Sequence, residues 1–209
     1  MSTSPDAPRA FLLSPAFAGG QRARMIMSER AQFELARRLR SGDDLPTLGE
    51  VFTFLSGLYF RGKLAYAKAF ASGSAVFVIT PNRGLLPVDL PVGVEDLRGF
   101  GEVDINADDP RYRRPLQCDV RKLLKALPRD AQIVLLGSIA TGKYVDVLVA
   151  NFGDRLVFPG DFVGRGDMSR GGLLLRSAVD RTELSYIPVS GAVRHGKRPP
   201  KLEPRRYTA

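Results

Sequence analysis

Residues 133–136 (IVLL) run directly into the glycine-rich turn 137–142 (GSIATG), and a helical pattern opens at Lys143-Tyr144. Four consecutive apolar residues predict a buried strand. The apolar residues that follow recur at helical spacing up to Phe152. A buried strand that a tight turn joins to a helix is typical of a parallel α/β sheet, so this stretch decides the fold class.

Three further apolar runs predict strands at 10–14 (AFLLS), 75–80 (AVFVIT) and 155–158 (RLVF). Helical patterns lie between the runs, over 29–40 after a Ser28 cap, from Thr47 onward, and over 116–127. The pair Thr47 and Glu50 has the spacing of a capping box. The alternation predicts a three-layer α/β/α fold with a mainly parallel sheet of about four strands.

The C-terminal part of the sequence predicts a different arrangement. A glycine-rich loop precedes the apolar runs 173–179 (LLLRSAV) and 184–189 (LSYIPV), which predict a C-terminal antiparallel hairpin. The segment 83–110 has no clear pattern and is longer than most connections, which favours a functional or lid-like role.

The length of 209 residues predicts one α/β domain over 10–193, with a disordered N-terminus at 1–9 and a basic flexible tail at 194–209. The tail holds six Lys or Arg against one Glu, and hence +5 of the net charge of +9. The rest of the chain is only mildly basic. A basic tail of this kind can bind RNA, DNA or an acidic partner, or can simply aid solubility.

Composition excludes several kinds of site. Cys118 is the single cysteine, so the chain has no internal disulfide, and with His195 it cannot complete a structural zinc site. No apolar run approaches the roughly 18 residues of a membrane helix, and the N-terminus lacks the pattern of a signal peptide. We therefore expect a cytoplasmic protein without a membrane partner, and the spacing indicates no particular cofactor, metal or oligomeric state.

Ligands of open parallel sheets bind beyond the carboxyl ends of the strands, and there the sequence places two glycine-rich loops. Loop 137–143 precedes a helix whose free N–H groups and dipole favour a phosphate. Loop 159–172 interleaves five glycines with two arginines that suit phosphate geometry. The alternative for the first loop is a tight turn that needs glycine for backbone reasons, and the alternative for the second is a flexible surface loop.

The strand-end residues give the candidate site. The candidate ligand-binding residues are Ser14, Asn82, Arg83, Gly137, Ser138, Thr141, Gly142, Lys143, Gly164, Arg165, Gly166, Ser169 and Arg170. Asp161 and Asp167 are the candidate catalytic acid or base, with Asp89 as a further carboxylate. Tyr59, Arg61, Lys63 and Tyr66 form a helical strip that suits a base or phosphate, although a solvated helix face is the interpretation we favour.

Two families have loops that resemble 137–143. Gly137-x4-Gly142-Lys143 resembles the Walker A loop of ATP- and GTP-hydrolysing proteins, but Tyr144 stands where that loop has the magnesium-binding Ser or Thr. Ala140-Thr141-Gly142 resembles the phosphoribosyltransferase loop, in which the strand ends in two acidic residues. Gly137 and Ser138 replace them here.

A third resemblance spans about residues 55–176. Four short patterns carry it, namely Leu58-Tyr59 with Tyr66, residues 78–86 (VITPNRGLL), Gly142-Lys143-Tyr144, and Phe158-Pro159 with a Gly-x-Gly loop. Together they resemble uncharacterised bacterial domains of the uracil-DNA-glycosylase-like superfamily. Relatives of that group accompany tRNA-guanine transglycosylases. The resemblance implies a three-layer α/β/α fold and a function related to nucleobases, and it supplies no catalytic residues.

These observations lead to three hypotheses. The first is a protein that binds a phosphate-containing nucleotide or nucleobase-related ligand between loops 137–143 and 160–172, with glycosyl or phosphoryl chemistry as an option. In it, Lys143, Arg165 and Arg170 neutralise the phosphate. The second is a non-catalytic RNA- or DNA-binding module that uses the basic tail. The third is a scaffold domain without a small ligand.

Overall fold

A computed structural model describes residues 8–71 and 75–204. Most of the N-terminal segment for which we predict disorder, and the last five residues of the basic tail, lie outside the described residues. Within the described part of the chain, no helix is long and apolar enough to cross a membrane.

The strands form one six-stranded sheet in the order β3-β2-β1-β4-β5-β6. Their bounds are β1 Arg9–Leu13, β2 Ala75–Ile79, β3 Leu85–Pro87, β4 Gln132–Leu136, β5 Leu156–Pro159 and β6 Tyr186–Pro188. The four inner strands are parallel, and β3 and β6 pair antiparallel at the two edges. The four predicted strands are therefore confirmed to within one residue at each end.

Helices flank the sheet. Their bounds are α1 Gln21–Met27, α2 Glu34–Ser41, α3 Leu48–Ser56, α4 Leu58–Phe70, α5 Val94–Gly101, α6 Pro110–Ala126, α7 Gly142–Phe152 and α8 Asp167–Asp180. Short 3-10 turns lie at Gly153–Arg155 and Gly160–Phe162. Helix α4 packs against α3 and α8, and α6 packs against α7. The predicted α/β fold class is confirmed.

The predicted capping box begins α3. The Thr47 Oγ1 accepts a hydrogen bond from the Glu50 N–H at 3.2 Å, and Glu50 Oε2 accepts one from the Thr47 N–H at 2.7 Å. Gly57, at φ 64°, then separates α3 from α4, because this left-handed backbone conformation suits glycine. The helical stretch that we predict from Thr47, with Gly57 and Gly62 as candidate interruptions, is thus two helices that separate at Gly57.

Three local predictions are wrong. Residues 173–179 belong to α8, so the antiparallel pairing near the C-terminus is confirmed but joins β6 to β5. Ser28 ends α1 and does not cap a helix over 29–40, since α2 begins at Glu34. The segment 83–110 is not irregular, because it contains β3 and α5.

The strand order fixes where a ligand site is expected. Strands β1 and β4 are neighbours at the centre of the sheet. After β1 the chain continues to β2, towards one edge of the sheet, and after β4 it continues to β5, towards the opposite edge. The connections therefore diverge between the carboxyl ends of β1 and β4. In open α/β sheets this switch point is where a crevice for ligands forms.

Candidate functional site

A buried lysine lies at the switch point. The Lys63 side chain extends from α4, and its Nζ donates to the Ser14 carbonyl at 2.5 Å and lies 2.9 Å from Ser14 Oγ. Lys63 is 1% exposed and Ser14 is 7% exposed. Ser14 follows β1 directly, and its N–H donates to the Leu136 carbonyl of β4 at 3.1 Å. The pair therefore sits where the two central strands end.

Two glycines bring α4 and α8 close enough to enclose this lysine. A Cβ at Gly62 would lie 2.5 Å from the Gly171 carbonyl oxygen, and one at Gly171 would lie 2.8 Å from the Leu58 carbonyl oxygen. The two helix backbones are thus in direct contact. Side chains on both sides of this crossing are buried, and they include Tyr59 and Lys63 on α4 and Arg170 on α8.

The surroundings of Lys63 disfavour its charged form. Burial lowers the pKa of Lys63 from 10.5 to about 7, and the nearby charge of Asp167 opposes the shift. Asp167 is a weak counter-ion because 67% of its side chain is exposed. The Tyr59 and Phe60 rings face the amine, with centroids 4.4 Å and 4.8 Å from Nζ.

Tyr59 adds a second unusual group to the cluster. Its hydroxyl is buried and has no hydrogen-bond partner within the described residues. Burial raises the pKa of Tyr59, and the nearby positive charge of Arg170 partly offsets this effect. Unpaired buried hydroxyls are uncommon, since each costs about 1 to 3 kcal/mol.

The turn after β4 closes over Ser14. A Cβ at Gly137 would lie 2.9 Å from both the Ser14 Cβ and the Tyr144 hydroxyl oxygen, so glycine is needed for this close approach. Tyr144 donates to the Ser138 carbonyl at 2.7 Å, and burial raises the pKa of its hydroxyl to about 12. Thr141 begins α7 without a side-chain cap, which leaves N–H groups of the first turn for other partners.

A cleft of about 610 Å³ opens beside this cluster. Its walls come from residues 15–18 after β1, Pro81 after β2, residues within 100–106, and Lys143 on α7. Phe17 exposes 73% of its surface there. We call this space the switch-point cleft.

A separate groove of about 370 Å³ lies between α8 and residues 198–202 of the tail. Arg165 lines it and donates to the Pro200 carbonyl at 3.3 Å, to Ser169 Oγ at 3.2 Å and to the Asp161 carbonyl at 3.0 Å. The backbone at Gly164, at φ 73°, closely contacts the Lys197 carbonyl. We call this space the tail groove.

The other predicted residues lie in separate places. Arg170 is buried, and its guanidinium donates twice to the Phe162 carbonyl, at 3.3 and 3.2 Å. Asn82 donates to the Gly99 carbonyl at 2.8 Å, and its Oδ1 is buried without a partner in the described chain. Arg83 pairs with Asp96 on the surface. Asp161 and Asp89 are exposed.

The structure thus brings together only some of the predicted site residues. Ser14, Gly137 and Ser138 meet at the switch point, and Lys143 borders the adjoining cleft. Gly166, Arg165 and Ser169 line the tail groove instead. The described residues contain no group of three or more His, Cys, Asp or Glu side chains placed to hold a metal ion.

Sequence reasoning missed the burial of the strip on α4. Tyr59, Lys63 and Tyr66 are buried, whereas Arg61 is exposed, so the favoured solvated face is wrong for three of the four. Spacings of four and three residues place Tyr59, Lys63 and Tyr66 on one helix face, and that spacing is the signal that could have revealed their common burial.

Comparisons with known proteins add no relative to this description. No protein-family model matches the chain, and no curated protein and no solved structure matches it.

Proposed function

We propose that the protein binds a small phosphate-bearing ligand of the nucleotide or nucleobase class in the switch-point cleft, with Lys143 as the phosphate contact. The observation that carries this proposal is the set of groups around one cleft. An exposed aromatic ring, Phe17, borders the same space as the Lys143 ammonium and the polar side chains of Asp104 and Asn106.

Each of these groups suits one part of a nucleotide. An exposed aromatic ring stacks on a base, which contributes about 1 to 3 kcal/mol per base. Carboxylate and amide side chains such as Asp104 and Asn106 form hydrogen bonds with base edges. The volume of about 610 Å³ falls within the range of roughly 300 to 1,000 Å³ for small-molecule sites.

The phosphate end of the ligand is assigned to the start of α7. Lys143 is exposed in the first turn of this helix, and the helix dipole adds positive potential there. The proposal keeps loop 137–143 from the sequence hypothesis. It replaces loop 160–172 with residues 15–18 and 100–106, because Arg165 lines the tail groove and Arg170 binds the Phe162 carbonyl. A ligand of this class agrees with the function related to nucleobases that the superfamily resemblance implies.

The test is a calorimetric titration with nucleoside monophosphates, phosphoribosyl pyrophosphate and inorganic phosphate. Lys143→Ala should weaken binding of the phosphate compounds about tenfold, which corresponds to about 1.4 kcal/mol for one charge-assisted contact. Arg165→Ala is the matched control, because it removes the same charge outside the cleft. Equal losses in the two variants, or no loss in either, would contradict the proposed site.

One observation favours RNA or DNA binding as a second candidate function. Arg165, Arg176, Arg198 and Lys201 line the tail groove, and none of its lining residues is acidic. A run of cations without carboxylates suits a phosphodiester backbone. Removal of residues 194–209 should then abolish RNA binding and its salt dependence, whereas Lys143→Ala should leave both unchanged. Full binding by the truncated chain would exclude this candidate.

A further inference from the structure

Ser14 and Lys63 face each other in a way that goes beyond ligand binding. The Ser14 Oγ lies 2.9 Å from Lys63 Nζ, and the lysine is almost fully enclosed. Burial beside an exposed counter-ion favours the neutral amine above about pH 7. A neutral amine has a lone pair that accepts a proton, so the geometry matches a hydroxyl beside its own base.

The partners of Lys63 leave that lone pair for Ser14 Oγ. One N–H of the amine donates to the Ser14 carbonyl at 2.5 Å, and the Tyr59 and Phe60 rings cover further directions. The Ser14 hydroxyl hydrogen can then point at Nζ. In such a pair the hydroxyl oxygen becomes a nucleophile when its proton passes to the amine.

The position of Ser14 in the fold fits chemistry on a bound ligand. Ser14 ends a central strand at the switch point, and the next residue, Pro15, is already part of the cleft wall. The Tyr144 hydroxyl also lies close to Ser14 and interacts with its side chain. The uncapped first turn of α7 supplies N–H groups at the same edge of the sheet, and N–H groups of this kind stabilise the negative charge that develops in an acyl transfer.

We propose that Ser14 is a nucleophile with Lys63 as its general base, and that the protein hydrolyses an ester or amide of the ligand class that binds in the switch-point cleft. This inference rests on the proposed function for the position of the ligand. Ser14 and Lys63 supply the covalent chemistry, and Lys143 with Phe17 holds the substrate.

The reaction balances with water as the second substrate. The Ser14 Oγ bonds to the carbonyl carbon while its proton passes to Lys63 Nζ. The bond between that carbon and the leaving oxygen or nitrogen then breaks, and the leaving atom takes the proton from Lys63. Water attacks the resulting ester and gives one proton to Lys63, which returns it to Ser14 Oγ as the carboxylic acid departs.

A purely structural pair, in which Lys63 simply ties α4 to β1, makes a different prediction about reactivity. The discriminating probe is an alkyl fluorophosphonate, which forms a stable bond to activated serine oxygens with loss of fluoride. We expect one adduct per chain, located on Ser14 by mass spectrometry of peptides. The labelling rate should rise with pH through about pH 7 and then level off, as Lys63 loses its proton.

Three variants sharpen this test. Ser14→Ala should form no adduct, and Lys63→Met should label at least about 100-fold more slowly. Ser190→Ala is the matched control, because it removes an exposed serine far along the chain, and it should label as the wild type does. Absence of an adduct on Ser14 in the wild type between about pH 6 and pH 9, or equal labelling of Lys63→Met, overturns the proposal.

Circular dichroism shows whether Lys63→Met is folded. If this variant is unfolded, the pH dependence of the labelling rate of the wild type decides. A labelling rate that does not change with pH overturns the proposal. The outcome is separable from that of the proposed function. Labelling of Ser14 together with failed nucleotide binding would reject the ligand class alone, whereas nucleotide binding without labelling would reject the nucleophile alone.

Discussion

The switch-point cluster and the tail groove carry positive charge in opposite ways. Lys63 is enclosed at the end of β1 with an exposed counter-ion, while Arg165, Arg176, Arg198 and Lys201 share a groove open to solvent. Burial lowers the pKa of Lys63 to about 7, which supports its proposed role as a base. The groove collects four cationic side chains and no acidic one, which suits attraction of phosphate from a distance. The two proposals therefore assign reactivity to the first region and attraction of phosphate to the second.

The largest expected effect of a single substitution at a fixed pH concerns the helix contact that encloses Lys63. Gly62→Ala should cost about 2 to 3 kcal/mol of unfolding free energy, because the new Cβ would lie 2.5 Å from the Gly171 carbonyl oxygen and force α4 from α8. Gly172→Ala is the control. Its Cβ would meet the Leu202 side chain at 3.5 Å, so it should stabilise α8 by about 0.5 to 1 kcal/mol. Urea denaturation measures both, and equal effects would mean that the helices are not in tight contact.

The next effect is a pH dependence of the unfolding free energy that arises from the titration of Lys63. Between about pH 7 and its ordinary pKa of 10.5, the unfolded chain holds a proton on this amine that the folded protein lacks. Stability contributed by this group should therefore rise with pH, by at most about 1.4 kcal/mol per pH unit. Urea denaturation of the wild type and of Lys63→Met across that window measures the difference. Parallel curves for the two proteins would show that Lys63 titrates normally.

The smallest expected effect on stability is that of a substitution at Phe17, which should impair ligand binding without impairing folding. Phe17→Ala should change the unfolding free energy by less than about 0.5 kcal/mol, since the side chain is 73% exposed. Nucleoside monophosphate binding should nevertheless weaken about tenfold through lost stacking. The same change at Phe33, which stacks on Phe54 away from the cleft, should leave binding unchanged. Unaltered affinity of Phe17→Ala for nucleoside monophosphates would contradict the proposed stacking of the base on Phe17.

The sequence predicts the central sheet well because its strands are short, apolar runs closed by glycine or proline. It also places Ser14 and Lys143 at strand ends, where parallel topology brings them to one edge. The misassignment of 173–179 has a physical cause. Three consecutive leucines after two glycines favour a strand locally, but glycine is required at 171 because α4 lies directly against it.

The candidate site was harder to predict because it depends on contacts between distant elements. The spacing places Lys63 on one helix face with Tyr59 and Tyr66, but its burial depends on the approach of α8 to α4. The cleft combines residues 15–18 with 100–106, which lie more than eighty positions apart in the chain. Arg165 lies in a loop typical of phosphate binding, yet it anchors the tail segment.

The most direct test of the account is to map a bound nucleoside monophosphate by changes in the amide NMR signals of the labelled protein. Binding in the switch-point cleft predicts shifts confined to residues 15–18, 100–106 and 138–143. Shifts concentrated on residues 165–176 and 198–202 would place the ligand in the tail groove and contradict the central claim.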